Sequence, residues 1–130
     1  MRYLFDVSAL IALGIEDHAS HDRVSNCALA QIGTTFLTCS ITELGFVRIV
    51  TQVSGYNTDV EEAQSTLANL KASSALRFEF IADNNDSPHL PVWVKTANQT
   101  TDGHLLELAK AHNAVLATLD AKILGAFVIP

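Results

Sequence analysis

The feature that most constrains this chain is an alternation. Short apolar runs recur, at Tyr3–Phe5, Thr35–Cys39, Leu76–Ile81, Ala114–Leu119 and Ala126–Ile129. Between the first four lie stretches with helical rather than strand periodicity, at Ser8–Leu13, His18–Ile32, Ser40–Thr51, Thr58–Ser73 and Thr101–His112. Short buried strands that alternate with helices predict an α/β fold around a mostly parallel sheet, because parallel neighbours need a crossover connection. The 130 residues suit one domain spanning 1–130, and no repeat, linker or low-complexity tract divides them. Hydrophobic residues make up 48% and charged residues only 17%, so the chain can bury a core and does not read as disordered.

Several helices carry their own punctuation. Val24, Cys27, Ala28 and Ile32 fall on one predicted helical face that Gly33 terminates. The segment from Ser40 is apolar nearly all round, with Ile41, Leu44, Phe46, Val47, Ile49 and Val50, which predicts burial on several sides. Thr58 and Glu61 match a capping box, as do Ser40 and Glu43. Asp83 to Pro91 is a polar loop with two prolines. Cys27 and Cys39 lack metal-type spacing and sit among apolar residues, so they read as buried free thiols in a reducing, cytoplasmic setting. Asp6 interrupts the only candidate leader, and no apolar run is long enough to span a bilayer.

Function rests on the carboxylates. Of fourteen Asp and Glu residues, most fall in polar stretches and read as solvated faces, turns or caps, among them Glu16, Asp17, Asp22, Asp59, Glu61, Glu62, Asp83 and Asp86. Four stand apart. Asp6 ends the first strand and is the only charge between Tyr3 and Leu13; Asp120 ends the fourth. Glu43 and Asp102 each lie in the first turn of a predicted helix. In a parallel layered fold, strand carboxyl ends and helix amino ends share one edge of the sheet, where ligands bind. Each carboxylate also has a plain structural role open to it, as a cap or a turn residue. Brought together, the four would repel one another, and an oxygen-preferring divalent cation such as Mg²⁺ or Mn²⁺ would relieve that repulsion. Such a site can activate water and stabilise charge on a phosphoryl group. The net charge of −6 gives no general attraction for nucleic acid, yet cations in an acidic cleft still permit phosphodiester chemistry.

These residues resemble those of the PIN-domain ribonucleases, and within them the VapC-type toxins of type II toxin–antitoxin pairs. The resemblance runs through Tyr3–Leu13, Thr38–Ile49, Thr101–Ala109 and Ala117–Asp120, with Asp, Glu, Asp and Asp in that order. It implies a three-layer α/β/α sandwich and a metal-dependent endoribonuclease that acts on RNA through a metal-activated water. It also implies a homodimer and inhibition by a cognate antitoxin, whose arginine is expected to reach the acidic cluster. Carried over by position, Asp6, Glu43, Asp102 and Asp120 form the catalytic, metal-holding quartet. Asp6 and Asp102 would be the most direct ligands. Ser8 stands where the family often has Asn, and Thr101 either orients the quartet or caps its helix. The segment 83–98 matches no family block.

Other residues keep two readings each. Arg48 either meets substrate phosphate or pairs with a carboxylate. His104 is expected at the surface or the cleft rim. Trp93 either stacks on a base or packs on the core. The apolar faces at 41–50 and 58–72 suggest a dimer contact. Two other functions fit the same residues. A phosphoryl-transfer hydrolase would use Asp6 as nucleophile, although Ser8 replaces the second Asp of that site. A non-catalytic module would use the acidic cleft only to hold a cation or dock a partner.

Overall fold

A computed structural model describes residues 1–86 and 89–130. Five strands form one sheet: β1 (Arg2–Phe5), β2 (Thr35–Thr38), β3 (Arg77–Phe80), β4 (Val115–Thr118) and β5 (Phe127–Val128). All neighbouring strands run parallel, in the order β3-β2-β1-β4-β5. The α-helices are α1 (Val7–Gly14), α2 (His21–Ala30), α3 (Ser40–Gln52), α4 (Val60–Lys71) and α5 (Thr100–Ala111). The first-formed strand is therefore the central one, with Tyr3 in register with Phe36 on one side and Val115 on the other.

Strand alternation divides the core in two. Tyr3 and Phe5 point to one face with Phe36 and Ala117, where the apolar sides of α1, α2, α3 and α4 cover them. Leu4, Leu37 and Leu116 point to the other, against Leu105, Leu106, Leu108 and Ala109 of α5. Three α/β/α layers follow, as expected. The chain moves from β1 out to β3, then returns across β1 to β4. Right-handed crossovers in opposite directions put α5 on the face opposite the other helices. They also place the change of direction between β1 and β4, at whose carboxyl ends such sheets open a crevice and bind ligands.

Local chemistry shifts several predicted boundaries. Helix α2 ends at Ala30, and Gly33 sits beyond it at φ +78°. Ile32 therefore belongs to the turn and is 96% exposed, not part of the buried face. The cap of α4 falls one residue later than predicted, at Asp59, because the Asp59 carboxylate accepts the Glu62 N–H at 2.8 Å while Thr58 donates to the Tyr56 carbonyl. At α3 the cap is Cys39, whose N–H donates to Thr42 Oγ1 at 3.0 Å. Glu43 is thus free of the capping box that its spacing from Ser40 suggested. Phe46 and Val50 of α3 are buried, whereas Leu44 is 70% exposed, so the helix is covered on fewer sides than its composition implied. Both cysteines are free thiols; Cys39 is buried and Cys27 half-buried.

Several described residues after β3 are anchored to α5. Trp93 packs on the α5 side of the core. A Cβ on Gly103 would come within 2.4 Å of Val94 and 3.1 Å of Pro91, so only glycine allows this approach. Asp83, expected to be solvated, is instead half-buried and bonded to His104 Nε2 at 2.5 Å. Ser87 and Pro88, part of the predicted polar loop, lie outside the described residues. No helix among the described residues is long and apolar enough to cross a membrane.

Candidate active site

Asp6 leaves β1 at the crevice and caps α1 directly. Its backbone N–H donates to the Ala117 carbonyl of β4 at 3.1 Å, and its Oδ1 accepts the Ala9 N–H at 2.8 Å. Its Oδ2 accepts the Thr118 hydroxyl at 2.5 Å. The cap reading and the site reading of Asp6 are therefore both realised. Thr118 is fully buried at the end of β4, and its hydroxyl also accepts the Asp120 N–H at 3.0 Å. One threonine thus links the carboxylate after β1 to the backbone that carries Asp120. Asp120 itself is exposed and turns the chain, accepting the Lys122 N–H at 2.9 Å. Asp102 comes from the first turn of α5, whose amino end meets the same edge.

Electrostatics tie these three together. Burial pushes the Asp6 carboxyl above its ordinary value; the Thr118 hydroxyl and Ala9 N–H oppose the rise, and the charges of Asp102 and Asp120 add to it. Burial likewise raises the Asp102 carboxyl, and Asp120 raises it further. None of the three forms an ion pair among the described residues. Nor, among those residues, do three or more His, Cys, Asp or Glu side chains close around a common point for a cation. The donor set is all oxygen, partly desolvated and short of positive charge. That chemistry fits Mg²⁺ or Mn²⁺ better than a softer ion.

Glu43 is at the same edge but in different company. Its Oε2 accepts the Thr38 hydroxyl at 2.5 Å and the Lys71 ammonium at 2.7 Å. Its charge is not among those that raise Asp6 or Asp102. Asp6, Asp102 and Asp120 are thus near enough to feel one another's charge, while Glu43 is paired with Lys71. Ser8 and Thr101 are both exposed, each the second residue of its helix. Thr101 does not cap α5; the helix starts at Thr100, whose hydroxyl donates to the Ala97 carbonyl. Arg48 is exposed and sits about 140° around α3 from Glu43, by helical geometry. Trp93 takes the core reading.

Thr38, Thr118 and Lys71 were missed from the sequence. The two threonines had a signal: each ends an apolar strand just before one of the four carboxylates, Thr38 before Glu43 and Thr118 before Asp120. Lys71 had none, since a lysine in the last turn of a helix reads as favourable end charge.

No protein-family model matches the chain. Individual proteins do. It is 35% identical over 126 residues to ribonuclease VapC38 of Mycobacterium tuberculosis, covering 92% of this chain and 86% of that one. It is 33% identical over 131 residues to ribonuclease VapC44 of the same species, covering 95% and 89%. The chain belongs to the VapC family of PIN-domain ribonucleases. Solved structures agree on the VapC fold. The Mycobacterium tuberculosis VapC20 toxin, described as cleaving the sarcin–ricin loop, superposes with a TM-score of 0.67 at 14% identity, over 98% of this chain and 99% of that one. VapBC2 of Rickettsia felis, solved bound to a DNA fragment from its promoter, gives 0.66 at 19% identity, over 98% and 97%. In this VapC chain, Asp6, Asp102 and Asp120 gather where the parallel sheet opens its crevice.

Proposed function

We propose that this chain is a divalent-cation-dependent endoribonuclease, the toxin of a toxin–antitoxin pair, with Asp6, Glu43, Asp102 and Asp120 as its catalytic carboxylates. The observation that carries this reading is the cluster in the β1–β4 crevice. Burial, and then a neighbouring carboxylate, pushes each of Asp6 and Asp102 up, and among the described residues no cation pairs with either. A buried negative charge without a counter-charge is costly, and a resident Mg²⁺ or Mn²⁺ removes that cost. When bound, the ion supplies Lewis-acid stabilisation of the phosphoryl charge and lowers the pKa of a water.

The chain's own residues do the rest. Asp6 and Asp102 hold the cation most directly, and Asp120 adds a third oxygen donor from the turn after β4. Thr118 fixes the Asp6 carboxylate by donating to Oδ2, while the Ala9 N–H fixes Oδ1. Glu43 is the fourth acidic group, in the first turn of α3. Ser8 and Thr101 offer hydroxyls at the same edge to a water or a phosphate oxygen, and exposed Arg48 offers a cation to the strand beyond.

The partner of such a toxin is a separate antitoxin chain, and the acidic protein suits a basic segment whose arginine meets the cluster. A second copy of the chain is the other partner. The exposed Leu44, Val60 and Phe80 give the α3–α4 side an apolar surface for it. Both partnerships belong to a cytoplasmic setting.

The test is cleavage of a mixture of structured and unstructured RNAs with Mg²⁺, with Mn²⁺ and with chelator, beside Asp102→Asn. Cleavage that needs the cation and vanishes in the variant is the expected result. Cleavage that survives chelator or the variant overturns the assignment. Light scattering of the purified protein checks the dimer.

A further inference from the structure

Among the described residues, Glu43 carries a counter-charge that the other three carboxylates lack. Lys71 comes from the last turn of α4, and its Nζ lies 2.7 Å from Glu43 Oε2. The Thr38 hydroxyl donates to the same oxygen, and among the described residues neither group reaches Oε1. Lys71 also lies 5.6 Å from the centroid of the Phe80 ring, which steadies the ammonium over an aromatic face. The pair lines the open groove between α3 and α4, with Ser40, Leu44 and Val47 alongside. Both side chains are mostly but not wholly buried, at 30% and 22% exposure, so the pair is screened less than a surface one.

We propose that Lys71 is a positioning residue: an internal counter-cation that holds Glu43 back from the Asp6–Asp102–Asp120 cluster and so sets how tightly the site takes a divalent ion. The inference rests on the proposed reading of that cluster as a cation site. The reasoning is competitive. Glu43 can serve a divalent ion only by loosening or sharing its bond to Lys71. Removing Lys71 removes that competition and so acts through Glu43. Arginine at position 71 keeps the charge and the bond, so it keeps the competition.

The experiment titrates Mn²⁺ and Mg²⁺ into RNA-free protein by calorimetry. It compares wild type, Lys71→Met, Lys71→Arg, Glu43→Gln and the Lys71→Met/Glu43→Gln double variant, with Asp102→Asn as control and circular dichroism to check folding. Lys71→Met should bind the cation about fivefold more tightly, in keeping with the worth of a partly exposed ion pair. Lys71→Arg should match wild type, and Glu43→Gln should abolish the gain in the double variant. Unchanged or weaker binding by Lys71→Met overturns the proposal, as does a gain that survives Glu43→Gln. The cluster reading fails separately: it falls if Asp102→Asn binds as wild type does. If neither wild type nor Lys71→Met binds a cation, both fall together.

Discussion

Two halves of one sheet edge are built alike and charged differently. At the end of β4, Thr118 donates to Asp6; at the end of β2, Thr38 donates to Glu43, in each case at 2.5 Å. Both threonines are fully buried and both carboxylates lie at the start of a helix. Yet burial, helped by two further aspartates, holds the Asp6 carboxyl above its ordinary value, while Glu43 faces a lysine. The difference arises outside the repeated motif. Helix α5 brings Asp102 to the first half, and helix α4 brings Lys71 to the second. A strand-end threonine and a helix-start carboxylate therefore do not fix the local charge by themselves; what crosses from the neighbouring helix decides.

The sharpest way to break this comparison is through the first half. Asp102→Asn should lower RNA cleavage by ~100-fold or more, since losing even a supporting group around a metal costs ~10–100-fold; initial rates in Mn²⁺ check it. Thr118→Val should destabilise the protein by about 1–3 kcal/mol, because it strips a buried carboxylate of its hydroxyl partner. Thr38→Val should cost less, below about 1 kcal/mol, because Glu43 keeps Lys71 and more solvent. Urea unfolding of the two valine variants side by side measures the contrast directly. Equal losses would show that the two halves do not differ in the way their charges suggest.

The pH dependence sharpens the same contrast. Asp6 and Asp102 have folded-state pKa values above those of the unfolded chain, so the folded form binds their protons more readily. Their contribution to stability is therefore fully present below the ordinary Asp range and is lost as pH rises through the raised values. In chelator at neutral pH, Asp6→Asn should melt a few degrees above wild type, since Asn keeps the helix cap without the charge. The gap should close as the buffer is acidified. Thermal melts across that pH range test the sign, and a variant that melts below wild type at neutral pH contradicts it.

The alternation of strands and helices was legible because its periods, two and 3.6, are local properties. The order of the four carboxylates was legible because each marks an element end. What local patterns missed was set across the fold. Ile32 looked like a helix-face residue until the turn at Gly33 placed it in solvent. Asp83 looked solvated because its partner His104 is 21 residues away. The Glu43–Lys71 pair spans 28 residues, and no spacing rule joins α3 to α4. The capping boxes show a subtler limit. Thr58/Glu61 and Asp59/Glu62 both fit the pattern, and only the geometry of the Asp59 carboxylate selects the second.

The central place of β1 has a consequence for how the protein comes into being. Asp6 is made well before Thr118, and the bond between them spans 112 residues. Until β4 has been synthesised, β1 has only β2 beside it, and the carboxylate that follows β1 has neither its hydroxyl nor its aspartate at 120. A nascent chain, or one cut short before residue 115, therefore carries most of the sheet and none of the assembled crevice. The edge that carries Asp6 and Asp120 therefore takes shape only when β4 pairs with β1.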